Sequence, residues 1–387
     1  MDFDVAPSTR AIREEVRQLL RSATAQRLLQ EVAERADGVD GDVRPLYRLL
    51  GQEGLLAASW PPEYGGRGAE FPALVAVAEE MARAGLSQHL YFISVQIVGR
   101  LILERGTLAQ RQRFLPAMAR GERYMCILFT EPETGSDLGS VATRAIRADG
   151  AWVVNGHKKY NYKSSYADVA LCAVRTDDTA SRYEGVSLIL LPLNAPGVTV
   201  TPFATIADEH FHDVQISDVK VDDDAFLGAP GQGWSLISSM FAGERSGLDY
   251  YTRGLRWIEA VRETLTPDDQ RDDQRDDQRD DQRTAELGRH WARLDASRLL
   301  ATRVLQRLAD GDPDVSEASL SKWHGSVSAQ NVAWWATQAI GLPALTRGHP
   351  AGDVLEDAYR EAAGMTISGG ASEVLLDMVV NAKLIDN

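Results

Sequence analysis

The chain has 387 residues, with 41 Lys plus Arg against 56 Asp plus Glu, a formal net charge of −15 and a sequence pI near 5.0. At roughly 100–200 residues per domain this length predicts two or three domains, and 44% hydrophobic with 25% charged residues is ordinary globular composition. Such a charge repels phosphate backbones and anionic lipid, so no nucleic-acid or membrane partner is expected; small acidic substrates stay open, because a local basic pocket overrides the global field. Two cysteines, Cys126 and Cys172, supply neither a disulfide framework nor a four-ligand zinc site. The acidic start MDFDVAPSTR lacks the apolar stretch of a secretory signal. No apolar run approaches the roughly 20 residues of a membrane-spanning helix. A soluble, cytoplasmic, multidomain protein is expected.

Residues 1–123 read as a helical domain. After Pro7 and Ser8, Ile12, Val16, Leu19 and Leu20 share one helical face, and Leu74, Ala78, Met81 and Ala82 share another. Between them, Trp60-Pro61-Pro62-Glu63-Tyr64-Gly65-Gly66 is a turn. Helix stops near Leu115-Pro116 and Gly121. Residues 124–228 then carry short apolar runs separated by turn residues: Met125 to Phe129, Trp152 to Val154, Val169 to Val174, Val186 to Leu191 and Val198 to Val200. Asn155-Gly156 reads as a two-residue hairpin. This spacing predicts an antiparallel barrel or sandwich.

Residues 229–387 return to helical periodicity, with helices expected over 232–263, 284–309, 316–340, 352–364 and 371–384. The fold class is therefore α+β, with two helical domains flanking a β-domain. A βαβ alternation is absent, and Gly228-Ala-Pro-Gly231-Gln-Gly233 reads as a helix-entry turn, so a dinucleotide-binding parallel sheet is not expected. Asp-Asp-Gln-Arg repeats four times across 268–283. A period of four drifts about 40° per repeat on a helix, stacks like charges at i,i+4 and uses Asp, a poor interior residue. A solvated loop is expected there, with an acidic partner-binding arm as the alternative.

Among the seven histidines, His210 and His212 beside Glu209 look ligand-like, since alternate strand positions share a face. No third ligand has recognisable spacing, so no metal is expected and the pair reads as an exposed polar strand end. The informative stretch is Phe129-Thr130-Glu131-Pro132-Glu133-Thr134-Gly135-Ser136-Asp137. A strand ends at Thr130, Glu-Pro turns the chain, and a polar loop follows whose N–H groups and hydroxyls suit an anion or the polar edge of a heterocycle.

Thr-Glu-Pro-x-x-Gly-Ser-Asp followed by Val154-Asn155-Gly156-His157-Lys158 resembles the acyl-CoA dehydrogenase family. Pro62-Glu63-Tyr64-Gly65-Gly66, Arg113-Phe114-Leu115-Pro116 with Gly121-Glu122, Asp218-Val219-Lys220-Val221, Leu227-Gly228, Gly231-Gln232-Gly233-Trp234 and Gly369-Gly370-Ala371-Ser372-Glu373-Val374 match its pattern in order over nearly the whole chain. The resemblance implies a flavoprotein with FAD held between the β-domain and a C-terminal four-helix bundle. It further implies a homodimer or tetramer, and an electron acceptor such as an electron-transfer flavoprotein. The implied reaction is α,β-desaturation of an acyl thioester, of CoA or of a carrier protein. A carboxylate removes the α-proton, and the β-hydrogen leaves as hydride to the flavin.

Many members carry that base immediately before Gly-Thr of the C-terminal motif, where this chain has Gly369. A second branch carries it on the long helix after the β-domain, and Phe241-Ala242-Gly243-Glu244-Arg245 matches there. The resemblance therefore assigns Glu244 as base, with Arg245 and Phe241 shaping the substrate pocket. By the same transfer Ile127, Leu128, Phe129 and Thr130 line the flavin ring, and Ser136 meets the FAD pyrophosphate or the thioester. Tyr160 and Tyr162 stand where the family has Trp and a small hydroxyl residue near flavin N5. Gln338 and Gly341 match the motif that reaches FAD across a subunit interface, with Leu342 for its second glycine. Ser372 and Glu373 belong to the C-terminal cofactor motif, in which Ala371 replaces Thr. The family's Arg-x-x-Phe-Gly segment is missing, and the Asp-Asp-Gln-Arg repeats occupy its region. That departure resembles a bacterial subclass with steroid side-chain enzymes, some hetero-oligomeric. Two alternatives stay open: an enzyme of specialised metabolism acting on a carrier-bound acyl group or as a flavin oxygenase, and a non-catalytic partner subunit of a hetero-oligomer.

Overall fold

The computed structural model describes residues 6–34, 41–207, 210–265 and 277–382. It divides into two compact units, one of Met1–Val77 with Leu86–Gly243 and one of Ala78–Gly85 with Glu244–Asn387. Among the described residues no helix is long and apolar enough to cross a membrane.

The first unit begins with helices α1 (Pro7–Arg21), α2 (Ala23–Glu34) and α3 (Arg44–Gln52). Ile12, Val16 and Leu20 are the buried stripe of α1, the four-residue recurrence of an amphipathic helix. Pro62–Tyr64 makes a single 3-10 turn, as the Pro-Pro and Gly-Gly flanks require. After α4 (Phe71–Arg83), the chain runs through α5 (His89–Tyr91), a π-helical stretch Phe92–Gly99, α6 (Arg100–Arg105) and α7 (Leu108–Ala119). A capping box between Thr107 and Gln110 starts α7. The Gln110 amide also donates to the carbonyls of Asp224 and Phe226, at 2.9 and 2.8 Å.

Among the described residues eight strands follow: β1 (Met125–Leu128), β2 (Arg144–Ala148), β3 (Ala151–Tyr162), β4 (Val169–Arg175), β5 (Val186–Pro192), β6 (Val198–Ala204), β7 (His210–Val221) and β8 (Phe226–Leu227). They pair in the order β6-β7-β3-β2-β4-β5-β8, with β1 joined to β4. Most pairings are antiparallel as expected, but β1 runs parallel to β4, and β2 meets β4 in parallel at Arg144 and Arg175. One sheet face closes over Cys126, Leu128, Val154, Cys172, Ile189, Val214 and Ile216, all buried.

The hairpin expected at Asn155-Gly156 is elsewhere. Asp149 and Gly150, both with positive φ (49° and 82°), make the two-residue turn between β2 and β3. Asn155-Gly156 instead lies inside β3 at a register shift against β7. Its glycine answers a close approach: a Cβ there would stand 2.3 Å from Thr143 Oγ1. His212 also departs from the exposed strand end expected. It is buried, with Nδ1 3.2 Å from the Asn161 carbonyl. Glu209 lies outside the described residues.

Helix α8 (Gly233–Glu244) leads to the second unit, which holds α9 (Leu248–Leu265), α10 (Asp277–Ala309), α11 (Val315–Ile340), α12 (Gly352–Met365) and α13 (Ser372–Val380). The helix α11 packs against α9, α10, α12 and α13. Its first turn is capped by Asp314, which accepts from Ser316 N and Glu317 N. Two expectations are corrected here. The single helix over 232–263 is two, broken after Glu244, because the turn Arg245–Gly247 is tied to α11 by Ser321 Oγ donating to Ser246 O at 2.6 Å. Residues 277–283 of the repeats are helical, as the start of α10; an ongoing helix supplies their hydrogen bonds and removes the nucleation cost. Residues 268–276 lie outside the described residues.

Candidate active site

In the first unit β1 delivers the Thr-Glu-Pro loop. Alternation along the strand puts Cys126 and Leu128 into the sheet core, while Ile127 and Phe129 are only partly buried. Of the four residues expected to line the flavin ring, Leu128 therefore has its side chain in the sheet core. Thr130 is partly buried, and its carbonyl accepts from Lys159 N at 3.0 Å, which ties the loop to β3.

Glu131 and Thr134 exchange both backbone hydrogen bonds, 2.9 and 3.1 Å, leaving Pro132 and Glu133 exposed at the tip. Under that tip the Glu131 carboxylate meets Lys158 Nζ at 2.9 Å and accepts from Ala142 N and Thr143 N at 2.7 and 2.8 Å. Lys158 Nζ also donates to Phe129 O at 3.1 Å. Burial works against the Glu131 charge, but Lys158 and the N–H donors outweigh it and hold the carboxyl below its ordinary value. Beyond the tip Gly135 and Ser136 are exposed, and nothing stands within 4 Å of where a Gly135 Cβ would be.

Tyr160 and Tyr162 sit at the end of β3. A second register shift between Lys158 and Asn161 puts Tyr160 at φ 61°, 53% exposed. It borders an open cleft of about 490 Å³ with Lys159, Thr201, Phe203 and Asp213. The Tyr162 hydroxyl lies 2.5 Å from His89 Nδ1, with the two rings edge to face at 4.8 Å.

In the second unit the C-terminal motif forms a turn without side chains, at φ 66° for Gly369 and 107° for Gly370. A Cβ on Gly369 would lie 2.8 Å from Tyr250 Oη, 3.7 Å from Lys322 Cε and 3.9 Å from Glu244 Oε1; one on Gly370 would lie 3.6 Å from Arg245 Nε. Glu244, at the end of α8, and the buried Arg245 thus gather with Tyr250 and Lys322 around this turn. Tyr250 Oη donates to Ser368 O at 2.9 Å, and Arg245 Nη1 reaches Met378 Sδ at 3.2 Å. Burial pushes the Glu244 pKa up, opposed by Arg245 and Lys322. Burial likewise depresses Lys322, to about 7, against the pull of Glu244.

The remaining expected residues lie on α11, α13 and α8. Gln338 is exposed on the last turn of α11, Gly341 follows it, and Leu342 is exposed. Ser372 opens α13 and its hydroxyl turns back to Thr366 O at 3.4 Å; Glu373 is exposed. Ala371 is the N-cap of α13 and offers no side-chain acceptor. Phe241 is partly buried on α8. Among the described residues no group of three or more His, Cys, Asp or Glu is placed to hold a metal ion.

Sequence reasoning missed His89, Lys322 and Tyr250 as site residues and gave Glu131 and Lys158 no role. An acidic and a basic residue within matched motifs was the available signal for the last two. Nothing in the sequence marks the other three, whose meaning is tertiary.

Comparison with known proteins matches the acyl-CoA dehydrogenase N-terminal domain over residues 6–122, the middle domain over 126–219 and the C-terminal domain over 231–384. The acyl-CoA dehydrogenase IpdE1 of Mycobacterium tuberculosis is 30% identical over 345 residues, 87% of this chain and 86% of that protein. FadE26 of the same organism is 29% identical over 95% of both chains. Among solved structures, the Tcur3481-Tcur3483 steroid ACAD superposes with a TM-score of 0.85 at 26% identity, over 99% of each chain. The ChsE4-ChsE5 complex of Mycobacterium tuberculosis does so at 0.82 and 26%, again over 99% of each chain. With all three domain types matched in order and a full-length relative at this identity, the chain belongs to the acyl-CoA dehydrogenase family, flavoprotein oxidoreductases of lipid metabolism.

Proposed function

We propose that the chain is an FAD-dependent acyl-thioester dehydrogenase in which Glu244 removes the α-proton of the substrate. One observation carries this reading: Glu244 Oε1 lies 3.9 Å from the point where a side chain on Gly369 would begin. Gly369 is where the resemblance implies a glutamate base in many members, so a carboxylate reaches the same space from a different element. Burial raises the proton affinity of Glu244, which strengthens it as a base. Glu244 takes the α-proton on its carboxylate, and the two buried cations beside it, Arg245 and Lys322, oppose the rise that burial causes.

The residues of the other unit fit FAD. Ile127 and Phe129 present partly exposed apolar surface, Thr130 and Tyr162 add hydroxyls, and the exposed Gly135-Ser136 segment leaves backbone N–H groups open to a pyrophosphate. When bound, FAD accepts the β-hydrogen as hydride. The His89 contact fixes the Tyr162 hydroxyl, and the Glu131–Lys158 pair fixes the loop that carries Thr130.

The acyl carrier is CoA or a carrier protein, and an electron-transfer flavoprotein takes up the electrons. The steroid enzyme among the solved relatives makes bulky, rigid acyl groups the first substrates to try. Assembly is as a homo-oligomer or a hetero-oligomer. Glu244 beside the Gly369 turn favours a catalytic over a purely structural subunit. The test is anaerobic titration of the purified flavoprotein with steroid and straight-chain acyl-CoA thioesters. Bleaching of the flavin band without added reductant supports the reading. A flavin that bleaches only with an external reductant and then consumes oxygen supports an oxygenase instead, and a chain that takes up no FAD alone supports a partner subunit.

A further inference from the structure

Lys322 is fully buried on α11, yet among the described residues no carboxylate forms a salt bridge with its ammonium. Nζ donates instead to two backbone carbonyls, Met365 O at 3.0 Å and Gly370 O at 2.8 Å, and lies 4.8 Å from the centroid of the Tyr250 ring. Those carbonyls bracket the Gly369 turn. Lys322 Cε and Glu244 Oε1 both come within 4 Å of the point where a Gly369 Cβ would stand. Burying a lysine carries a desolvation cost that an apolar residue of similar volume avoids, but an apolar residue would leave both carbonyls without their donor.

We propose that Lys322 is a positioning residue that clamps the Gly369–Gly370 turn against Glu244 and stabilises the Glu244 carboxylate with its charge. The proposal rests on the reading of Glu244 as the base and adds how that base is held. The charged and titratable groups around the pair are Glu244 and Arg245 at the end of α8, and Asp249, Tyr250 and Arg253 on α9. Glu361 on α12 joins them through Arg253. Arg253 is engaged by Asp249 and Glu361, which leaves Arg245 and Lys322 as the cations acting on Glu244. Burial holds the Lys322 proton loosely, to about 7, so its charge disappears within an accessible pH range.

The experiment is a carbon-13 NMR titration of the purified full-length flavoprotein labelled at the glutamate δ-carbon, with the Glu244 signal assigned by its loss in Glu244→Gln. In the wild type the signal shows its own midpoint and a second inflection near pH 7, where Lys322 loses its proton. Lys322→Gln, which keeps a donor but not the charge, removes the second inflection and raises the Glu244 midpoint by about one pH unit or more. A Glu244 midpoint unmoved in Lys322→Gln overturns the proposal. If that variant does not fold, a wild-type curve with a single inflection overturns it. An active Glu244→Gln enzyme would overturn the base assignment and leave this coupling standing, so the two failures are separable.

Discussion

Lys158 Nζ lies 2.9 Å from Glu131 Oε1, and both side chains are buried. This one pair joins the two motifs that carry the family resemblance, Thr-Glu-Pro and Asn-Gly-x-Lys. Removing one partner strands the other without water, at a cost of about 3–5 kcal/mol. Lys158→Met should therefore lower the unfolding free energy by that order in chemical denaturation and weaken FAD retention. A paired Glu131→Leu/Lys158→Met variant should recover part of the stability but not the loop geometry. Glu131 holds its proton less tightly folded than unfolded. Its contribution is present above the unfolded pKa and is lost as pH falls through the folded one.

Ala371 leaves the N-terminus of α13 without a side-chain acceptor, in an extended backbone conformation (φ −59°, ψ 143°) that a threonine adopts readily. Ala371→Thr should raise the unfolding free energy by about 1 kcal/mol, the ordinary worth of an N-cap. Thermal or urea unfolding reads it directly.

Gly369 at φ 66° resists any side chain, and a Cβ would press on Tyr250 Oη at 2.8 Å. Gly369→Ala should cost about 1–2 kcal/mol for the left-handed backbone alone. Combining it with Tyr250→Phe should relieve the steric part, which a double-mutant cycle separates from the backbone part.

Glu244 and Lys322 give opposite pH signatures. Glu244 binds its proton more tightly folded than unfolded. Its stability contribution is present below the unfolded pKa and is lost as pH rises through the folded one. Lys322 is depressed to about 7 from 10.5. Its contribution is present above the unfolded pKa and is lost as pH falls through about 7. Between these limits the wild type should gain stability with pH relative to Lys322→Gln. Substrate-driven flavin reduction should fall on the acid side, as Glu244 becomes protonated above the ordinary carboxylate range. Parallel melting and stopped-flow series across pH check both.

Much of this was legible because periodicity and motif order are local. The stripe of α1, the strands Val169–Arg175 and Val186–Pro192 and the helix–sheet–helix order follow from apolar spacing. The errors came where tertiary contacts decide. Asn155-Gly156 has a hairpin's composition, but Thr143 packs on the glycine and the strand runs on, while Asp149-Gly150 makes the turn. The break after Glu244 depends on Ser321, dozens of residues away. For Leu128, which motif transfer puts at the cofactor, strand alternation read from Cys126 turns the side chain into the core. Lys322 gave no signal at all, since a lysine in a helix usually faces water.

The most direct test of the central claim is anaerobic stopped-flow reduction of Glu244→Gln by an acyl-CoA thioester that bleaches the wild type. Glutamine nearly preserves shape and removes the basic oxygen. The account predicts a folded variant with its full complement of FAD, whose flavin band does not bleach on the wild-type timescale. Bleaching at the wild-type rate would contradict it and place the base on another residue.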